Sequence, residues 1–165
     1  MLKNLLYRKA KTKIEEIYSP LVGEVIPLSE VPDPVFAQKM MGDGVAIIPK
    51  EGKLVSPVAG EVMQIFPTKH AIGIKSKNGL EILIHVGLDT VDLNGDGFEV
   101  LAREGQVVKV GDALLNFNIQ FLEGNNKEIV TPIIITNTLE KVAEIEQAAH
   151  SEVSRKDLIL KCSLK

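Results

Sequence analysis

The chain has 165 residues, 45 % hydrophobic and 25 % charged, which fits one domain with a substantial buried core. Aromatic residues make up 4 % and tryptophan is absent, which argues against a base-stacking surface for single-stranded nucleic acid. The net charge of −3 argues against a general polyanion binder.

That net charge is unevenly spread. Residues 1–13 hold Lys3, Arg8, Lys9, Lys11 and Lys13 and no acid, which leaves 14 basic against 22 acidic residues in a body of −8. Over residues 1–17, Leu2, Leu5, Leu6, Ile14 and Ile17 fall near helical spacing with cations between them. Two arrangements fit this N-terminal segment: an amphipathic helix resting weakly on an anionic membrane surface, or a frayed, solvated terminus. The main domain is expected over residues 18–165.

From Tyr18 onward the pattern changes to short β runs. Strands are predicted at Leu21–Val25, Val45–Pro49, Lys53–Val55, Gly60–Ile65, Ala71–Lys75, Glu81–Val86, Val107–Val108, Asp112–Asn118 and Ile129–Ile135. Turn residues separate them at Gly42-Asp43-Gly44, Asn78-Gly79, Asn94-Gly95-Asp96-Gly97 and Gly124-Asn125-Asn126. Leu139–Ala149 is the one later segment with helical character. Many short strands with close turns read as an all-β sandwich or barrel with minor helical segments.

An internal echo supports that reading. Ser19-Pro20-Leu21-Val22-Gly23-Glu24-Val25 recurs 37 residues later as Ser56-Pro57-Val58-Ala59-Gly60-Glu61-Val62. Thr131-Pro132-Ile133 reads as a partial third copy. One sheet unit is used more than once, each copy being too short for a solenoid repeat.

Cys162 is the only cysteine, so no intramolecular disulfide can form, and a reducing, cytoplasmic location is expected. No stretch approaches the roughly 18 apolar residues of a membrane span, and the N-terminus lacks the apolar run of a secretory signal. Without a histidine nearby, Cys162 shows no mark of an activated thiol.

Chemistry is concentrated in two histidines that border apolar strands, His70 and His85. Near neutrality an imidazole is a nucleophile, a proton carrier or a metal ligand. The bland alternative is a pair of polar residues satisfied at strand ends. His70, His85 and Asp89 could just supply the three ligands of a hydrolytic zinc, although no H-x-H accompanies them. His150 reads as a surface residue of a polar, helical region. Asp92-Leu93-Asn94-Gly95-Asp96-Gly97 copies the first half of a calcium loop, but Arg103 stands where the bidentate glutamate belongs, so a tight β turn is the better reading. Glu104–Asp112 looks like part of a lipoyl or biotin carrier, yet Lys39-Met40-Met41 has the wrong order for the modified lysine.

Several segments, taken in order, resemble one family. These are Val31–Lys39 followed by Gly42-Asp43-Gly44, Thr68-Lys69-His70-Ala71, His85–Val91 and Gly95-Asp96-Gly97-Phe98. From about Ile17 to the C-terminus the chain resembles the glucose-type enzyme IIA of the bacterial phosphoenolpyruvate:sugar phosphotransferase system. The resemblance implies an antiparallel β-sandwich of the duplicated hybrid motif type and a phosphocarrier that needs neither metal nor cofactor. It implies that His85 accepts a phosphoryl group from the carrier HPr and passes it to the IIB domain of a glucose-type permease. His70 then matches the histidine that steadies the phosphate, and Thr68 the hydroxyl that fixes the network. Asp33 and Asp89 match rim acids facing basic partners, and Phe36, Met40 and Phe66 match an apolar docking surface. Regulatory target proteins are a further expected class of partner, and His70 with His85 could by themselves form an incomplete zinc site finished by a partner's carboxylate. Lys69 and Pro34 are local departures that remove no chemical group.

Overall fold

Runs of β-branched and apolar residues become strands because pairing satisfies their backbone while a pleated face buries their side chains. The computed structural model describes residues 12–165. In chain order the first strands are β1 (Ile14–Tyr18), β2 (Gly23–Pro27), β3 (Asp43–Pro49), β4 (Lys53–Val55), β5 (Gly60–Ile65), β6 (Ala71–Ser76) and β7 (Glu81–His85). They continue as β8 (Phe98–Val100), β9 (Val107–Val108), β10 (Ala113–Phe117), β11 (Thr131–Ile135), β12 (Val142–Gln147), β13 (Glu152–Val153) and β14 (Leu158–Leu164). Three short helices intervene, α1 (Pro34–Ala37), α2 (Ile119–Gly124) and α3 (Thr138–Lys141), with 3-10 turns at Leu28–Glu30 and Thr90–Leu93.

The central sheet runs β13-β2-β3-β11-β7-β6-β5-β9, and two smaller sheets run β1-β14-β12 and β4-β10-β8. Every pairing among the described residues is antiparallel. One face of the central sheet meets the small sheets in a core that includes Ile17, Val45, Leu54, Ile84, Leu115, Ile133 and Leu160. This is the expected β-sandwich. The opposite face is covered near its centre by a second cluster, in which Leu28, Val31 and Phe36 pack on Ala46, Ala71, Leu83 and Ile134. With both faces covered, β11 is buried throughout and β7 carries the unbroken run Ile82-Leu83-Ile84.

The echo seen in the sequence is structural. Ser19 Oγ donates to the Leu21 carbonyl at 2.6 Å, and Ser56 Oγ to the Val58 carbonyl at 2.7 Å. The two copies also bond each other reciprocally: Tyr18 N–H to the Pro57 carbonyl and Val55 N–H to the Pro20 carbonyl, both at 3.0 Å. A second echo is too degenerate to see in sequence, Lys109-Val110-Gly111-Asp112 against Ser154-Arg155-Lys156-Asp157. In each the aspartate accepts from the backbone N–H three residues earlier at 2.8 Å. Gly111 and Lys156 share the left-handed conformation there, with φ of 92° and 74°. Thr131-Pro132-Ile133 is not a third copy. Its proline lies inside β11 rather than ahead of a strand, and the Thr131 hydroxyl donates backwards to Ile129.

Two further expectations are corrected. Leu139–Ala149 is helical only through Lys141; Val142–Gln147 is a strand paired with β14. The strand β12 is an edge strand whose alternation is broken by a register shift between Val142 and Glu144. Ile14 and Ile17 also belong to a strand, β1, with Ile17 fully buried against the core. Residues 1–11 of the expected amphipathic segment lie outside the described residues.

The repeated glycine shows why the motif needs no side chain. A Cβ on Gly60 would lie 2.0 Å from the Lys75 carbonyl oxygen, and one on Gly23 would lie 2.1 Å from that of Ile48. Backbone cannot yield as a flexible side chain can. Gly60→Ala is expected to cost about 3 kcal/mol or more in urea unfolding, whereas Gly124→Ala, with nothing within 4 Å, should be nearly neutral.

Candidate functional site

The β6–β7 pairing assembles the site. Ala71 stands opposite His85, and the Val86 N–H bonds the His70 carbonyl at 2.7 Å, so the two histidines are diagonal neighbours. Their ring centroids lie 4.8 Å apart at an interplanar angle of 78°. His70 is 4 % exposed and His85 is half-buried. Phe66 meets the His70 ring edge-on at 5.7 Å, and Phe36 lies 5.2 Å from His85. Both phenylalanines belong to the second apolar cluster, which floors a dish around the imidazoles.

Local folding sets each ring. The turn between β5 and β6 closes through Phe66 N–H to Ala71 O and Lys69 N–H to Phe66 O, with Lys69 at φ 60°. That turn brings Thr68 Oγ1 to 2.8 Å from His70 Nδ1. His85 Nδ1 lies 2.7 Å from the Gly87 carbonyl oxygen. A carbonyl only accepts, so Nδ1 of neutral His85 carries the proton and Nε2 keeps its lone pair. Nothing in the sequence marks the Gly87 carbonyl as the partner.

Burial lowers the pKa of His85, opposed by the Gly87 hydrogen bond and by the Asp33 and Asp89 carboxylates. Burial chiefly, and then the neighbouring His85, push His70 down to about 4. Both rings are therefore neutral at pH 7. This has a consequence for stability. Unfolded, His70 titrates near 6.5, so between pH 6.5 and about 4 the unfolded chain holds the extra proton. Stability from this residue is complete above that window and falls as pH drops through it, by up to about 3 kcal/mol. Urea unfolding at neutral and at acid pH should show a smaller acid loss for His70→Gln than for the parent protein. Equal losses would contradict the assignment.

Asp33 caps α1, its Oδ1 accepting from the Val35 N–H at 2.9 Å, which holds Phe36 over the dish. Asp89 is exposed in the left-handed conformation with φ 56°. Met40 is not brought to the rings. It is 69 % exposed and lines a cavity of about 720 Å³ with Met41, Asp43 and Leu139, beside Glu81 at the far end of β7.

The other candidates fall away on geometry. Among the described residues no three histidine, cysteine or carboxylate side chains converge as metal ligands, so His70, His85 and Asp89 do not form the set that a hydrolytic zinc requires. Asp92–Gly97 is not a simple β turn. It continues the Thr90–Leu93 turn through Asn94, Gly95 and Gly97 at positive φ, and Asp92 pairs with Lys127 at 3.3 Å. Cys162 is fully buried, and burial pushes its thiol up to about 11. His150 is exposed as expected, but it lies between β12 and β13 rather than in a helix. No helix among the described residues is long and apolar enough to cross a membrane.

Comparison with known proteins agrees with this geometry. The profile of the phosphoenolpyruvate-dependent sugar phosphotransferase system, EIIA 1 family matches residues 15–141. A PTS system glucose-specific EIIA component of Staphylococcus aureus is 53% identical over 145 residues, covering 88% of this chain and 83% of that protein. Its counterpart in Staphylococcus epidermidis is 54% identical over 135 residues, 81% of each chain. The solved glucose permease IIA from Mycoplasma capricolum superposes with a TM-score of 0.83 at 38% identity, covering 93% of this chain and 98% of that one. An antiparallel sandwich, a repeated strand unit and an apolar dish around two neutral imidazoles thus meet in one lineage, and the chain belongs to the EIIA 1 family of phosphocarrier domains of the phosphoenolpyruvate-dependent sugar phosphotransferase system.

Proposed function

We propose that Nε2 of His85 is the atom that carries phosphate. The observation behind this is the Nδ1 contact to the Gly87 carbonyl, which leaves an unprotonated nitrogen in a shallow apolar dish. The donor is the phosphohistidine of HPr and the acceptor the IIB domain of a sugar permease, glucose-type as in the named relatives, with the exchange taking place in the cytoplasm.

In uptake the Nε2 lone pair attacks phosphorus, the N–P bond to HPr breaks, and its electron pair returns to the HPr imidazole. Phosphoryl transfer passes through a loose transition state, so positioning and charge stabilisation are the protein's main work. The Thr68 hydroxyl lies 2.8 Å from Nδ1 of His70; taken as the donor there, it puts the His70 proton on Nε2 to stabilise a phosphate oxygen. Neither step calls on a metal. Phe36 and Phe66 give the surroundings of the rings an apolar character that lets a docked partner exclude water.

Asp33 and Asp89 attract a basic partner face, aided by the −8 body. The phosphoryl group adds roughly −1.5 to −2 charges beside them. Repulsion then favours release of the donor and engagement of the next acceptor. Incubation with phosphoenolpyruvate, enzyme I and HPr should yield one acid-labile, base-stable phosphate, and transfer from purified phospho-HPr should be unaffected by chelator. An acid-stable phosphate, or none, would overturn the reading.

A further inference from the structure

Thr90 is fully buried, and the phosphoryl-transfer reading so far gives it no task. Both branches of its side chain are engaged. Oγ1 donates to the Val86 carbonyl at 2.6 Å. Cγ2 packs over the bare face of Gly87, where a Cβ would come within 2.7 Å of that methyl and 2.8 Å of the Glu128 carbonyl oxygen. Gly87 itself has φ 74°.

The peptides on both sides of Gly87 are thereby held. Thr90 fixes the Val86–Gly87 unit through its carbonyl, and the Leu88 N–H fixes the Gly87–Leu88 unit by donating to Glu128 O at 3.0 Å. In a trans peptide the carbonyl points opposite the N–H. The second bond therefore turns the Gly87 carbonyl away from Glu128, and that oxygen lies 2.7 Å from His85 Nδ1. Glycine has the widest choice of backbone conformations, so an unclamped Gly87 would swing this carbonyl aside most easily.

We propose that Thr90 is a positioning residue for the nucleophile: by clamping Gly87 it keeps the glycine carbonyl on Nδ1 of His85 and the lone pair on Nε2. This rests on the reading of His85 as phosphoryl acceptor. A hydroxyl that only satisfied a buried carbonyl would affect stability without changing which nitrogen holds the proton.

The test is nitrogen NMR of the full-length, unphosphorylated, 15N-histidine-labelled protein, combined with phosphorylation rates from phospho-HPr. The parent protein should show His85 as the Nδ1–H tautomer. Thr90→Val keeps the shape and loses the donor. It should shift His85 toward the Nε2–H tautomer and slow phosphorylation on the order of tenfold to a hundredfold, with KM for HPr unchanged. Thr90→Ser should restore both. If Thr90→Val fails to fold, Thr90→Ala against Thr90→Ser gives the same comparison. A parent tautomer and rate in Thr90→Val, or equal losses in the valine and serine variants, would overturn the proposal. Phosphate found elsewhere than His85 would overturn the acceptor reading instead, while the tautomer series still decides whether Thr90 holds Gly87.

Discussion

His85→Ala should take up no phosphate from phospho-HPr, a loss on the order of 10⁴-fold or more, the scale reached when a covalent nucleophile is removed. His70 cannot replace it. Its ring is 4 % exposed, and its Nδ1 already faces the Thr68 hydroxyl at 2.8 Å. In the proposed tautomer, with the proton on Nε2, it presents no lone pair to an incoming phosphorus. The fold should survive, because His85 ends β7 and only half-buries its ring, while Ile82 and Ile84 of the same strand hold the core. Autoradiography of the labelled variant, with circular dichroism to confirm folding, reads the outcome. Label retained on His70 would reverse the two roles.

His70→Gln should separate the two halves of the cycle. Uptake is expected to fall by no more than about tenfold, and onward transfer to the IIB acceptor by roughly 10² to 10³. The glutamine amide still offers a donor N–H, but it is more flexible than a ring fixed by Thr68 and wedged against Phe66. We propose a cysteine of the IIB domain as the acceptor, as the family resemblance implies, so an anionic thiolate must approach a doubly charged phosphoryl group, and more depends on the oriented proton of His70. Single-turnover kinetics of each half-reaction measure the split. Equal losses in both directions would remove the distinction.

Much of this was legible in the chain. Lys53–Val55, Gly60–Ile65 and Val107–Val108 have the predicted bounds, because apolar alternation and turn residues agree there. The Ser-Pro…Gly echo could be read because serine, proline and glycine each perform a task that few residues can. The second echo could not. Only its aspartate is chemically required, and its left-handed position is filled by Gly111 in one copy and Lys156 in the other. The strand β12 is hard to read because a register shift breaks its alternation, and β1 because its two isoleucines, three residues apart, differ in burial, Ile14 exposed and Ile17 buried. At the site, His70, His85, Thr68, Phe36 and Phe66 lie together. Met40 does not, since the residues after α1 turn toward Asp43 and the far end of β7. The backbone partner of His85 was invisible because a carbonyl's direction depends on the loop, not on the residue's identity.

The most direct measurement is the nitrogen and phosphorus NMR spectrum of the phosphorylated, 15N-histidine-labelled protein. Phosphate is expected on Nε2 of His85, with Nδ1 still protonated and bonded to the Gly87 carbonyl. Phosphate on Nδ1, or on His70, would contradict the assignment of the acceptor atom on which the transfer scheme depends.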